Sequence, residues 1–227
     1  MKGFFITGIG TDIGKTVVSA ILVEALKADY WKPIQSGNLD FTDTDFIKDF
    51  TLHHGKLHTE EYGFSKPVSP HLAAKLEDKV INIEHFSLPK LNNYLIVEGA
   101  GGLMVPLNNK YLIKDLIIKL QLPVILVSMN YLGSINHTLL TIEALKQNNI
   151  LIAGIIFNQD HNIESENYIL NYTGIKLLGK IPKADTMSKG FIVQQADKIC
   201  QNLLDVLSEF PDHPTNNNDL QLDYESF

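Results

Sequence analysis

Four stretches of the chain carry residue types whose spacing suits phosphate chemistry. The first is Gly14-Lys15-Thr16, which closes the segment FFITGIGTDIGKTV beginning at Phe4. An apolar run breaks there into a glycine-rich loop and resumes as a helical pattern. Bare backbone N–H groups, a lysine for the β- and γ-phosphates and a hydroxyl for Mg2+ are what a nucleoside triphosphate requires. The pattern G-x-x-x-x-G-K-[ST] expects a glycine five positions before Gly14, where Ile9 stands between Gly8 and Gly10. Tight βα turns also use glycine for purely structural reasons. The apolar strand before the loop and the Ala-, Val- and Leu-containing helix after it favour a phosphate loop.

The other three stretches carry Lys32, Asp45 and Glu98. Lys32 ends a short apolar run and is followed by Pro33, Ile34, Gln35, Ser36 and Gly37; Asp45 lies in the acidic DFTDTDF; Glu98 ends YLIV and opens Glu98-Gly99-Ala100-Gly101-Gly102. Each has a plainer reading: a solvated lysine, a helix cap, a carboxylate held by its own turn. A charge at the end of an apolar run is costly unless paired or metal-bound, which makes Glu98 the strongest of the three. Mg2+ takes oxygen ligands in near-octahedral geometry and keeps several waters, so Thr16, Asp45 and Glu98 with phosphate oxygens form an expected metal site.

A scaffold must bring these residues to one crevice. The chain alternates in βα units: a strand over 4–7, a helix over 16–28 with Val17, Val18, Ile21, Leu22, Ala25 and Leu26 on one face, and a short strand over 30–34. Residues 35–66 read as polar surface with a helical piece near 43–50. Ser69-Pro70 opens a helix, and a further amphipathic piece spans about 83–91. Strands are expected over 94–97, 123–127, 150–157 and 175–181, without the alternation of a half-exposed sheet. Helices are expected over 134–147, capped by Ser134, and 188–210. The expected fold is α/β: a doubly wound, mostly parallel sheet with helices on both faces, of the P-loop NTPase type. Residues 1–210 are expected to form one domain and residues 211–227 a flexible tail, with docking of that tail as the alternative. In such sheets ligands sit beyond the carboxyl ends of the strands, where Lys32, Asp45 and Glu98 fall.

The formal charge of −7 over 227 residues argues against nucleic-acid and anionic-membrane partners. Cys200 is the single cysteine, so no internal disulfide forms. With no leader-like or membrane-spanning run, a cytoplasmic location is expected. His53, His54 and His58 lack metal-ligand spacing and read as solvated. His71 is expected to serve the first turn of its helix, and Cys200 to be packed. Asn158 ends a strand and can pair with adenine N6 and N7. The following Gln159-Asp160-His161 does not match the guanine-reading N-K-x-D pattern, so ATP is favoured.

The segments GIGTDIGKT, YWKPIQSG, PVSPH, YLIVEGAGG, LPVILV, LGSINH and GIIFNQD follow one another as in dethiobiotin synthetases, which the chain resembles over residues 2–184. YWKPIQSG with VEGAGG is the specific pair, and the offset glycine resembles that family's own longer loop. The resemblance implies closure of a cyclic urea from 7,8-diaminopelargonic acid, CO2 and MgATP, through a carbamate and its phosphoric anhydride. It implies that Lys32 holds the carbamate with Ser36 nearby, and that Lys15 serves the phosphates. It places the amides of Asp12, Ile13, Gly14, Lys15, Thr16 and Val17 on the phosphates, Thr11 beside them, and Thr16, Asp45 and Glu98 on Mg2+. Gly99, Ala100, Gly101, Asn158, Gln159, Ile181, Pro182 and Lys183 would face the nucleotide. Gly133, Ser134, Ile135 and Asn136 open a helix suited to the substrate carboxylate, with an ordinary Ser cap as the plainer reading. In the resembling family that loop comes from the second subunit of a homodimer. Two other classes share the fold. Partitioning ATPases carry an extra lysine early in the loop, where this chain has Gly10; cobyrinate-type amide synthetases carry a nucleophilic-cysteine glutaminase domain.

Overall fold

The computed structural model describes residues 3–90 and 92–209. The expectation for the tail at 211–227 lies outside the described residues. The sheet is built from β1 (Gly3–Gly8), β2 (Asp29–Trp31), β4 (Leu57–His58), β6 (Leu95–Gly102), β7 (Val124–Met129), β8 (Ile152–Asn158) and β9 (Leu177–Ile181). Its order is β4-β2-β6-β1-β7-β8-β9, and every pairing is parallel. The chain builds outward from β1 to β2, returns to β6, then crosses β1 to β7. The direction of winding therefore reverses around the carboxyl ends of β1 and β6, which opens a crevice there.

Both faces of this sheet are covered, which is why its strands read as unbroken apolar runs. On one face Phe4, Ile6, Ile96 and Val127 pack with α1 (Lys15–Leu26), α2 (Asp43–Phe50) and α7 (Lys189–Glu209). On the other, Phe5, Leu95, Val97 and Val124 meet Ile113, Leu116 and Ile117 of α4 (Ile113–Leu120). Leu126, Ile155 and Phe157 meet Ile142 of α5 (Ser134–Gln147) and Ile169 of α6 (Ile163–Thr173). Helix α1 is buried on almost all sides, being wedged between sheet and helices.

Several expected elements change in detail. The strand over 30–34 is cut at Pro33, which has no N–H for a ladder; beyond it, β3 (Ile34–Ser36) pairs with β5 (Tyr62–Phe64) as a separate two-stranded sheet. The stretch 35–66, expected as polar surface with one helical piece, thus also holds most of β3 together with β4 and β5. Among its described residues, the piece over 83–91 forms one 3-10 turn at Ile83–His85. Helix α3 (Pro70–Leu76) starts at the proline, but Ser69 makes no cap bond and instead meets His71 Nδ1 at 3.1 Å. Helix α5 is capped by Gly133 in the left-handed region at φ 99°, with Ser134 inside the helix, so the Ser134 cap does not form. Strand β6 runs on through Glu98-Gly99-Ala100-Gly101-Gly102, which is therefore strand rather than turn.

Candidate active site

The loop between β1 and α1 is shaped by what lies beneath it. Ile13 turns its side chain into the core at 2 % exposure, and a Cβ on Gly8 would meet its Cδ1 at 2.1 Å. Gly8 is therefore the position that excludes a side chain, while Ile9 packs on the core. Gly14 sits at φ 83°, and a Cβ there would meet Asn158 Nδ2 at 2.0 Å. That amide donates to the Ile13 carbonyl at 2.9 Å, pinning the loop from the end of β8.

Four elements then converge. Lys15 opens α1, Lys32 follows β2, Asp43 opens α2 and Glu98 lies within β6. Lys32 Nζ donates to Glu98 Oε1 at 2.9 Å and pairs with Asp43. Thr16 Oγ1 donates to Glu98 Oε1 at 3.0 Å, and Tyr30 OH to Oε2 at 2.9 Å. Glu98 is 1 % exposed, so it is a buried carboxylate held by a buried cation and two hydroxyls. Burial alone would raise the Glu98 pKa, but Lys32, Lys15 and the Ser19 hydroxyl together outweigh it and hold the carboxyl below its ordinary value. Burial would lower Lys32, and the two carboxylates overcome that and raise it. Asp43 is raised by burial and by repulsion from Glu98, with Lys32 opposing. Lys15 donates to the Gly10 carbonyl at 2.9 Å; burial, helped by Lys32 and opposed by Glu98, pulls its pKa down to about 8.

These groups line a cleft of about 610 Å³. Thr11, Asp12, Gly14, Lys15, Thr16, Lys32, Ser36, Glu98, Ala100, Gly101 and Gln159 line it as well as Asp43. Ile13 and Val17 spend their side chains on the core, so only their backbone can serve a ligand. Gly99 is packed against Phe5. Asn158 is 2 % exposed and has committed an amide hydrogen to Ile13, which leaves less of the amide for a base than the sequence suggested. Ile181 is buried and Pro182 and Lys183 are exposed; Ile181 accepts the Gln159 N–H through its carbonyl at 2.8 Å. Residues 133–136 do not line this cleft.

One residue expected as a metal ligand has its carboxylate engaged elsewhere in this structure. Asp45 is the N3 residue of a capping box: its carboxylate accepts from Thr42 N at 2.9 Å and from Thr42 Oγ1 at 2.8 Å. Asp43, at the first position of α2, faces Lys32 instead. Thr42-x-x-Asp45 is a legible capping signature, and reading it would have assigned Asp45 to the cap and left Asp43 for the site. Gln35 and Tyr30 were also missed. Gln35 Nε2 donates to the Gly37 carbonyl at 3.0 Å, and its Oε1, like Ser36 Oγ, is buried with no partner. The expected solvated histidines divide: the His53 ring is largely exposed beside Glu24 at 2.7 Å, whereas His58 is buried against Asp29 at 3.2 Å. Cys200 is half-buried against the Ala25 carbonyl.

Thr16, Asp43 and Glu98 supply one hydroxyl and two carboxylates, a hard oxygen set suited to Mg2+. Among the described residues no group of three His, Cys, Asp or Glu forms a metal cage. The set therefore fits a cation whose remaining ligands come from phosphate and water. Two buried ammonium groups beside the glycine-rich loop suit a polyanion.

Comparison with known proteins agrees with this geometry. A family profile described as an AAA domain matches residues 2–189. The ATP-dependent dethiobiotin synthetase BioD of Cytophaga hutchinsonii is 49 % identical over 205 residues, 89 % of this chain and 98 % of that protein. The enzymes of the same name from Christiangramia forsetii and Lawsonia intracellularis are 45 % and 46 % identical, over 90 % and 82 % of this chain and 99 % and 90 % of theirs. Among solved structures, the cell division protein MinD of Aquifex aeolicus superposes with a TM-score of 0.54 at 15 % identity, covering 90 % of this chain and 97 % of that one. A plasmid partition protein of Borrelia burgdorferi gives 0.53 at 12 %, covering 90 % and 99 %. These two share the fold.

Proposed function

The chain belongs to the ATP-dependent dethiobiotin synthetase family, and from that premise we propose that its cleft closes a cyclic urea on 7,8-diaminopelargonic acid, with CO2 and MgATP as co-substrates. The observation that carries the reading is the junction of Lys15, Thr16, Lys32, Asp43 and Glu98 at the glycine-rich loop. An amine of the substrate captures CO2 as a carbamate, a carbamate oxygen takes the γ-phosphoryl group, and the second amine attacks the mixed anhydride and expels phosphate. Bringing an anionic carbamate to a polyanion requires fixed positive charge, and phosphoryl transfer is chiefly a matter of position and charge stabilisation. Lys15 serves the transferred phosphoryl group, Lys32 orients the carbamate, and the free Ser36 hydroxyl is available to substrate polar atoms. Mg2+, held by Thr16, Asp43 and Glu98, would neutralise phosphate charge and share the carboxylates that now occupy Lys32.

The partitioning-ATPase alternative has only the shared fold in its favour, since those structures are under 20 % identical to this chain. The assay is incubation with diaminopelargonic acid, bicarbonate and MgATP. Substrate-dependent ADP and a product of dethiobiotin's mass are expected, and ADP release without that product would reject the reading.

The active unit is proposed to be a homodimer, with Gly133, Ser134, Ile135 and Asn136 receiving the substrate carboxylate across the interface. Two features support this: the segment lies off the cleft of its own chain, and the adjoining Leu132 is fully exposed. Native mass measurement is expected to give twice the chain mass, and a monomer throughout the active concentration range would refute it. We place the enzyme in the cytoplasm, where its ATP is made. The single cysteine and the lack, among the described residues, of a helix long and apolar enough to cross a membrane accord with that.

A further inference from the structure

One buried side chain outside the reaction scheme joins the ends of three neighbouring strands. The Glu166 side chain on α6 has no exposed surface. Its Oε1 accepts from Asn130 Nδ2 at 2.9 Å, from His161 Nδ1 at 2.9 Å and from the Asn162 backbone N–H at 3.2 Å. Its Oε2 meets Lys180 Nζ at 2.6 Å. Asn130 follows β7, His161 and Asn162 follow β8, and Lys180 is the penultimate residue of β9. Asn130 Nδ2 also donates to the Asp160 carbonyl at 3.0 Å.

The segment gathered in this way is the one that borders the cleft beyond the phosphate loop. Gln159 lines the cleft in the left-handed region at φ 69°, a conformation that a non-glycine residue keeps only when its surroundings impose it. Its N–H is tied to the Ile181 carbonyl at 2.8 Å, next in the chain to Lys180. Asn158, the residue before it, holds the phosphate loop through Ile13. Burial would push the Glu166 pKa up, and Lys180, His161 and Asn130 outweigh burial and keep it ionised. Apolar residues of similar volume commonly stabilise such a spot as well as an ion network does, so stability alone does not call for a carboxylate here. A carboxylate with convergent donors does provide a fixed geometry for the backbone around it.

We propose that Glu166 is a positioning residue for nucleotide selection: by clamping the β8–α6 loop onto the end of β9, it holds Asn158 and Gln159 where they meet the base. The proposal rests on the ATP-dependent reading above. The phosphate loop also has contacts of its own, the Lys15 bond to the Gly10 carbonyl and the buried Ile13 side chain, so loosening the clamp should weaken recognition of the base far more than it disturbs the triphosphate site.

The test compares KM and kcat for ATP and GTP in the wild type, Glu166→Gln and Lys180→Met. In both variants KM for ATP is expected to rise about tenfold, KM for GTP to stay within about twofold, and kcat at saturating ATP to fall no more than about threefold. The ATP/GTP preference would then shrink about tenfold. Equal losses with both nucleotides, or an unchanged preference in folded variants, would overturn the proposal. If Glu166→Gln lacks a cooperative thermal transition, Lys180→Met decides alone, since that lysine is about one-third exposed and its loss leaves the three Oε1 bonds in place. A wild type without ATP-dependent product would instead reject the enzymatic reading. A wild type indifferent between ATP and GTP would overturn the base-selection role before any variant is compared.

Discussion

At the scale of the residue, the site turns on which carboxylate is free. Asp43 and Asp45 look interchangeable within the run Thr42-Asp43-Thr44-Asp45, yet helix geometry separates them. The N-cap and N3 positions bond to each other, and the first helical position is left to point elsewhere. On the proposed function, Asp43→Asn should therefore lower product formation by about two orders of magnitude or more, since it removes a charge from the cleft. Asp45→Ala should cost about 1 kcal/mol of stability through the broken capping box and keep product formation within a fewfold. Parallel measurement of turnover and thermal unfolding checks both, and the reverse pattern would return Asp45 to the site. For Asp45 the pH sign is definite: bonds from Thr42 hold its folded pKa below the usual 3.8. Its contribution is thus present above that value and is lost as pH falls through the folded pKa.

At the scale of the element, the helix ends record where the chain is strained and where it is not. Helix α1 ends at Lys27 in the left-handed region at φ 51°, with its N–H bonded to the Val23 carbonyl and the side chain exposed. Glycine adopts this conformation without a Cβ penalty. Lys27→Gly is expected to stabilise the protein by about 0.5–1 kcal/mol, visible as a rise in Tm of about 2–3 °C. A lower Tm would show that the lysine chain contributes more than its backbone costs. Gly14 at the other end of α1 has no such freedom, because a Cβ there collides with the Asn158 amide. The two ends of one helix thus answer to different demands: a turn to be closed, and a loop to be kept bare for a ligand.

At the scale of the whole molecule, one core on each face of a parallel sheet carries a cleft dense in buried charge, and pH should read that charge. Lys15 keeps its proton to about 10.5 in the unfolded chain but only to about 8 in the folded one. The unfolded state binds more protons between those values, so Lys15 makes the free protein gain stability as pH rises through that window. Bound phosphates would restore the proton. ATP binding is therefore expected to take up close to one proton above pH about 8 and almost none near pH about 6. Calorimetry in buffers of different protonation enthalpy measures this, and zero uptake at both pH values would refute it. Much of this molecule was legible in its sequence. The glycine-lysine-threonine loop, the parallel βα order, the extents of α2 and α5, and the need of Glu98 for a partner all follow from local pattern and the cost of unpaired charge. Other features needed the folded chain. The placing of Asp43 rather than Asp45 beside Lys32 and the capping of α5 by Gly133 turn on side-chain direction, which periodicity does not report. The short strands β3, β4 and β5 are held by partners distant in sequence, too brief to show a pattern of their own. The Glu166 clamp joins the ends of β7, β8 and β9, which lie side by side only once the three strands have paired in the sheet, so no local stretch of residues contains it.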